Sequence, residues 1–262
     1  GPPGDVKDLS HLSKYRDLSD MLADPEIDVV DICLPPAMHA DATIAALEAG
    51  KHVFCEKPIS VLADDAVRMV AAAEASGRQL SIGHVLPFFP EFNFVAEAAR
   101  DGRYGALLGG HFKRIIADPS LLWLKDFFDP IKVGGPLIDL HVHDAHFIRM
   151  LCGMPKAVFT TGRLRGDVPE FFTTQFLFDD PRLAVTATSG VIAQAGRPFT
   201  HGYEVYFEKA TLCFEFAVLG DEPVVSMPVT VLTADGQVER PELGGGDPVD
   251  SFLSEIVEAL GA

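Results

Sequence analysis

Three short apolar runs dominate the first third of the chain: Asp28-Val29-Val30-Asp31-Ile32-Cys33-Leu34-Pro35, His52-Val53-Phe54-Cys55 and Leu80-Ser81-Ile82-Gly83. Helical patterns over residues 38–48 and 62–76 separate them, and Gly50 and Gly77 stop those helices. Glycine closes a helix readily because it enters the left-handed conformation without a Cβ clash. In the second helix Leu62, Ala66, Met69, Val70 and Ala73 make an apolar stripe, and Asp64 and Asp65 suit the positive end of the helix dipole. Strand and helix alternating at this spacing predict right-handed βαβ units and a parallel sheet.

The pattern then changes. Residues 90–100 read as helical and 110–116 as extended; a loop over 117–133 leads to Gly134-Gly135-Pro136 and a helix ending at Gly153. From there the runs 157–165, 171–178, 183–191, 203–208 and 211–218 are β-like, with Asp179-Asp180-Pro181-Arg182 as a turn. Consecutive strands with short connections make an antiparallel sheet. The expected fold class is α/β plus α+β: an incomplete Rossmann-type parallel sheet, then a domain with a large, mostly antiparallel open sheet. The sheet has an apolar face to cover, and Phe172, Phe176 and Phe178 fall on one side of their strand. An exposed patch of that size predicts an interface.

A nucleotide-binding domain of this type opens with a strand, a Gly-rich turn and a helix. Only about 27 residues precede the first clear strand, and none forms G-x-G-x-x-G. Gly1 and Gly4 flank prolines, which have no N–H to offer a phosphate, and Gly244-Gly245-Gly246 follows no strand. The chain reads as clipped at both ends.

Charge narrows the partners. Among 262 residues, 21 are basic and 38 acidic, a formal net charge of −17. That sign argues against nucleic acid and anionic membranes, but not against a small phosphate-bearing cofactor with a locally positive site. No apolar run approaches the ~20 residues of a membrane span, and the N-terminus has no signal-peptide pattern. Cys33, Cys55, Cys152 and Cys213 lie far apart without metal or redox spacing, and read as reduced thiols of a cytoplasmic protein.

Two segments could carry chemistry. Cys55-Glu56-Lys57-Pro58 follows a parallel strand, at the end where open α/β sheets bind ligands, and Pro58 holds Lys57 extended. Alone, a Lys-Pro pair reads more readily as a solvated loop lysine. The second segment is Asp139-Leu140-His141-Val142-His143-Asp144-Ala145-His146. On a helix, Asp139 and His143 share a face, with His146 beside it. A carboxylate next to an imidazole favours the imidazolium and fixes its tautomer, as a general acid/base requires. The residues fit two other readings as well. One is a divalent-metal shell of Asp139, His141, His143 and His146; the other is a helix start with satisfied polar groups.

Both segments resemble motifs of the Gfo/Idh/MocA (glucose–fructose oxidoreductase / inositol dehydrogenase) family of nicotinamide-dependent oxidoreductases. Leu34-Pro35-Pro36-Ala37-Met38-His39 is similar to its T-P-N-x-x-H turn, and Glu56-Lys57-Pro58 to E-K-P. The run from Gly134 to His143 is similar to G-G-G-x-x-x-D-x-G-x-H, and the segment from Asp17 to Asp28 to the family's entry into its fourth strand. The order matches from about Leu18 to the last helix. Ala37 departs from the usual Asn, His141 from a Gly and His146 from a common Asp.

The resemblance implies an NAD- or NADP-dependent oxidoreductase acting on a sugar or polyol C–OH. Lys57, Asp139 and His143 would be catalytic, with His143 as acid/base. Pro35, Pro36, His39, Glu56 and Lys57 would line the cofactor, no metal is implied, and the Lys57-Pro58 bond would be cis. The implied domains are a partial dinucleotide-binding domain (1–87), an α+β substrate and oligomerisation domain (88–247) and a C-terminal helix (248–262). Pairing through the antiparallel sheet would give a homodimer or homotetramer. Two alternatives are an NAD-assisted glycosidase of the same family and a metal-dependent enzyme using the histidine cluster.

Overall fold

A computed structural model describes residues 10–121 and 124–261. Gly1, Gly4 and Ala262, on which some expectations above rest, lie outside the described residues.

The first region holds α1 (Leu18–Leu22), β1 (Val29–Ile32), α2 (His39–Glu48), β2 (His52–Cys55), α3 (Ala63–Ser76) and β3 (Leu80–Ile82). The strands form a parallel sheet in the order β1-β2-β3, with Val29 opposite His52 and Val53 opposite Leu80. Gly77 closes α3 at φ 63°, as its position in the sequence predicts. Val30, Ile32, Ala46, Leu47, Val53 and Met69 form the core of this region. The apolar stripe of α3 is narrower than expected. Met69 is buried, but Leu62 and Val70 are exposed, because α3 turns only one side to α2.

The rest comprises α4 (Pro90–Asp101), β4 (Leu107–Ala117), α5 (Gly135–Asp139), α6 (His141–Cys152), β5 (Ala157–Arg165), β6 (Val168–Leu177), β7 (Ala184–Ile192), β8 (Phe199–Phe207), β9 (Ala210–Leu219), β10 (Glu222–Thr233), β11 (Val238–Glu239) and α7 (Pro248–Gly261). Its eight strands run in the order β11-β10-β9-β8-β4-β7-β6-β5. All neighbours are antiparallel except β4 and β7, where Gly109 pairs with Ala184. A Cβ on Gly109 would stand 2.0 Å from the Ala184 carbonyl oxygen, so only glycine permits that approach. Phe92, Phe112, Phe147, Tyr203 and Phe214 fill the core between the sheet, α4 and α6. The Tyr203 hydroxyl donates to the Glu91 carbonyl at 2.7 Å and ties β8 to α4.

One expectation about the sheet is reversed. Phe172, Phe176 and Phe178 are buried, on the face covered by α5 and α6, and make no exposed patch. The opposite face is polar: Thr173 and Thr188 hydrogen-bond at 2.9 Å, and Lys113 pairs with Glu215. Exposed apolar groups gather instead on the edge strand β5, where Phe159 is 63% exposed. Among the described residues no helix is long and apolar enough to cross a membrane.

Candidate active site

The lysine loop leaves the carboxyl end of β2. Gly83 makes room for it: a Cβ there would stand 3.2 Å from Glu56 Oε2 and 3.3 Å from the Lys57 nitrogen. The Lys57-Pro58 peptide is cis, as the family resemblance implies. The Glu56 carboxylate accepts the Lys57 backbone N–H at 3.1 Å.

The opposing wall comes from the second region. Gly134 and Gly135 adopt φ 79° and 65°, and a Cβ on either would stand 2.5 Å from Ile138 or Val168 respectively. That turn starts α5, whose last residue is Asp139. Lys57 Nζ donates to Asp139 Oδ1 at 2.9 Å and to the Asp139 carbonyl at 3.1 Å. The two side chains are only 20% and 29% exposed. An ammonium has three donors, so one remains for a ligand.

Asp139 and His143 do not share one continuous helix. The chain breaks at Leu140 (φ −104°, ψ −53°), and α6 begins afresh at His141. The carboxylate of Asp139 consequently engages Lys57, whereas no side chain hydrogen-bonds the half-buried His143 ring among the described residues. Burial pushes the proton affinity of His143 well below its ordinary value, and the charges of Arg114, Lys57, His84 and His201 add to this. His143 is therefore a neutral base at neutral pH, not the imidazolium that a neighbouring carboxylate would favour.

Three members of its surroundings were not singled out in the sequence. Arg114 on β4 donates to both oxygens of Asp144, at 3.2 and 3.1 Å, and this ion pair is almost fully buried. His201 on β8 lies 3.4 Å from Arg114 and is pushed down to about 3 by burial and by that guanidinium. Their strands are far apart in sequence, and no local pattern joins them. His84 is different: it stands just past β3, at the ligand-binding end of a parallel strand, which is a usable signal. Its ring stacks on His146 with centroids 4.1 Å apart, and burial pushes it down to about 4. Both rings line a cleft of about 980 Å³ bounded by α4 and α7.

His141 points elsewhere. Its Nδ1 lies 2.9 Å from the Ser189 hydroxyl and its ring stacks on Phe176, so it belongs to the sheet interface. Among the described residues no group of three or more His, Cys, Asp or Glu is placed to hold a metal ion.

The cofactor candidates fall into two sets. Pro35 and Pro36 follow β1 at its carboxyl end, where Leu34 and Met38 are exposed beside them. This ledge is apolar, and the remaining N–H of Lys57 is the donor that the lysine loop offers a ligand. His39 is fully buried, with both ring nitrogens facing carbonyl oxygens, and lines no open crevice.

A parallel α/β region thus presents a lysine at a strand's carboxyl end to an Asp and a His of the second region. Residues 5–84 match the oxidoreductase family with an NAD-binding Rossmann fold, and residues 92–213 match the Gfo/Idh/MocA C-terminal domain. The chain belongs to the Gfo/Idh/MocA family. It is 29% identical over 230 residues to a 1,5-anhydro-D-fructose reductase of Ensifer adhaerens, covering 86% of this chain and 67% of the relative. It is 33% identical over 156 residues to a myo-inositol 2-dehydrogenase of Thermotoga maritima, covering 58% of this chain and 45% of that protein. The chain thus spans about half the length of that relative. In fold it resembles a levoglucosan dehydrogenase solved with NADH and levoglucosan (TM-score 0.71, 21% identity, 88% of this chain and 70% of that one).

Proposed function

We propose that the chain carries the reaction centre of an NAD- or NADP-dependent oxidoreductase interconverting a sugar or polyol C–OH and its ketone. The observation that carries this reading is the Lys57–Asp139 contact beside a neutral His143. A nicotinamide held at the Lys57 loop would supply the hydride chemistry. Lys57 uses its remaining N–H to hold the reacting hydroxyl and to stabilise negative charge growing on that oxygen. His143 takes the hydroxyl proton on a ring nitrogen that no side chain hydrogen-bonds among the described residues, and returns it in the reverse direction. Asp139 fixes the lysine and offers its second oxygen to a neighbouring hydroxyl of the substrate. Pro35 and Pro36 would line the dinucleotide, and Glu56 holds the Lys57 backbone N–H. The names of the relatives, a 1,5-anhydro-D-fructose reductase and a myo-inositol 2-dehydrogenase, support the substrate class.

The four cysteines are free thiols, which favours a reducing, cytoplasmic setting. We further propose a homo-oligomer built on the large sheet, through its helix-free face and the exposed edge strand β5. The function is tested by incubating the protein with NAD or NADP and a panel of sugars and polyols. One reduced nicotinamide formed per ketone produced supports the reading. Cleavage of a glycoside without net reduction points to the glycosidase alternative, and no turnover with any member contradicts both.

A further inference from the structure

His39 opens α2, and none of its surface is exposed. Its Nδ1 lies 2.8 Å from the carbonyl oxygen of Pro58, and its Nε2 lies 2.8 Å from the carbonyl oxygen of Leu34. Pro58 belongs to the loop leaving β2, which carries Lys57. Leu34 belongs to the loop leaving β1, which carries Pro35 and Pro36. One ring therefore bridges the two loops that form the proposed cofactor crevice.

Carbonyl oxygens only accept hydrogen bonds. Both contacts are hydrogen bonds when both ring nitrogens carry hydrogen; in a neutral ring one lone pair would face another. We infer that His39 is a positioning residue and not a cofactor ligand: a doubly donating strut that fixes Lys57 relative to the dinucleotide loop. No ring nitrogen is left to touch a ligand. The geometry also selects histidine over its usual substitutes. An Asn or Gln amide donates from one end only, and its oxygen would meet the second carbonyl. Displacing a reacting group by about 1 Å can cost 10²-fold in rate, so a strut far from the substrate can govern turnover. This inference rests on the reading of Lys57 given above.

The test uses the whole chain with His39→Ala and His39→Gln. Amide hydrogen exchange is followed over residues 33–38 and 56–60, together with NADH affinity by nicotinamide fluorescence and turnover at saturating cofactor. His39→Ala is expected to speed exchange in both loops together while leaving α3 unchanged. Turnover should fall by roughly 10–100-fold, and NADH affinity should fall by less than turnover does. Free imidazole, which can donate twice, should restore turnover and loop protection. 1-Methylimidazole, which has at most one N–H, should not. His39→Gln should release one loop and hold the other. If the alanine variant does not fold, the glutamine variant and the ring-nitrogen NMR shifts of the wild-type protein decide the matter, with two protonated nitrogens expected. A tenfold loss of NADH affinity at unchanged saturated turnover overturns the inference. So does equal rescue by the two imidazoles, or a single protonated ring nitrogen. The exchange, NMR and binding readouts need no substrate. A protein that turns over no sugar therefore defeats the functional reading without deciding this one.

Discussion

Lys57 and Asp139 stand 82 residues apart in sequence, yet the ammonium meets the carboxylate at 2.9 Å and the same residue's carbonyl at 3.1 Å. The contact joins the end of a parallel strand to a two-glycine turn in the second region. Because the pair is partly exposed, it should add less than about 1 kcal/mol to stability. Its importance is positional. Lys57→Ala should damage turnover and nicotinamide affinity together, whereas Asp139→Asn should reduce turnover more than affinity. Chemical denaturation should move little for Asp139→Asn. A loss of several kcal/mol with normal turnover would reverse the assignment.

His143→Ala should lower turnover by roughly 10²–10⁴, the usual worth of one proton-transfer group, and leave cofactor affinity nearly unchanged. The depressed proton affinity of His143 sets the pH dependence. Oxidation needs the neutral ring, so the acid limb of kcat/KM should lie below the ordinary histidine value of 6.5. A limb above 6.5 would show that an unseen carboxylate dominates the ring.

His141→Ala should destabilise the fold by about 1–3 kcal/mol, through the lost contacts with Phe176 and Ser189, and change turnover by no more than about threefold. Abolished activity, with zinc required for what remains, would restore the metal reading of the cluster.

Stability should fall in acid for a specific reason. Burial lowers the proton affinity of His84 to about 4 and of His201 to about 3, so the unfolded chain binds protons more readily than the folded one. Their contribution is complete above pH 6.5 and is lost progressively as pH falls towards those folded values. Denaturation midpoints measured from pH 7.5 to about 4.5 should fall steeply, and less so for His201→Gln. A flat profile would contradict the burial of these rings.

Parts of this arrangement were legible in the sequence because they are local. Gly50 and Gly77 mark helix ends, and three apolar runs at crossover spacing mark a parallel sheet. The positions of Lys57, Asp139 and His143 were legible through their motifs. The helix break at Leu140 was not, since Leu140 carries no breaking signal and the Gly134-Gly135 turn precedes it by five residues. Strand β10 was hidden by Pro223 and Pro228, which suit an edge. Its other neighbour, β11, pairs only at Val231 and Leu232, so both prolines lie where β10 has no second partner. The face of β6 was misassigned because alternation shows that Phe172 and Phe176 share a side, but not which side α5 covers. Arg114 and His201 meet only through the β4–β8 pairing, a long-range register that no short window contains.

Deuterium transfer tests the central claim most directly. A C-deuterated sugar or polyol, oxidised by the protein with NAD or NADP in ordinary water, should deliver one deuterium per turnover to the reduced nicotinamide. His143→Ala should slow that transfer without diverting it. Reduced nicotinamide free of deuterium, or turnover with all deuterium retained in the sugar, would contradict direct hydride transfer at the Lys57–Asp139–His143 centre.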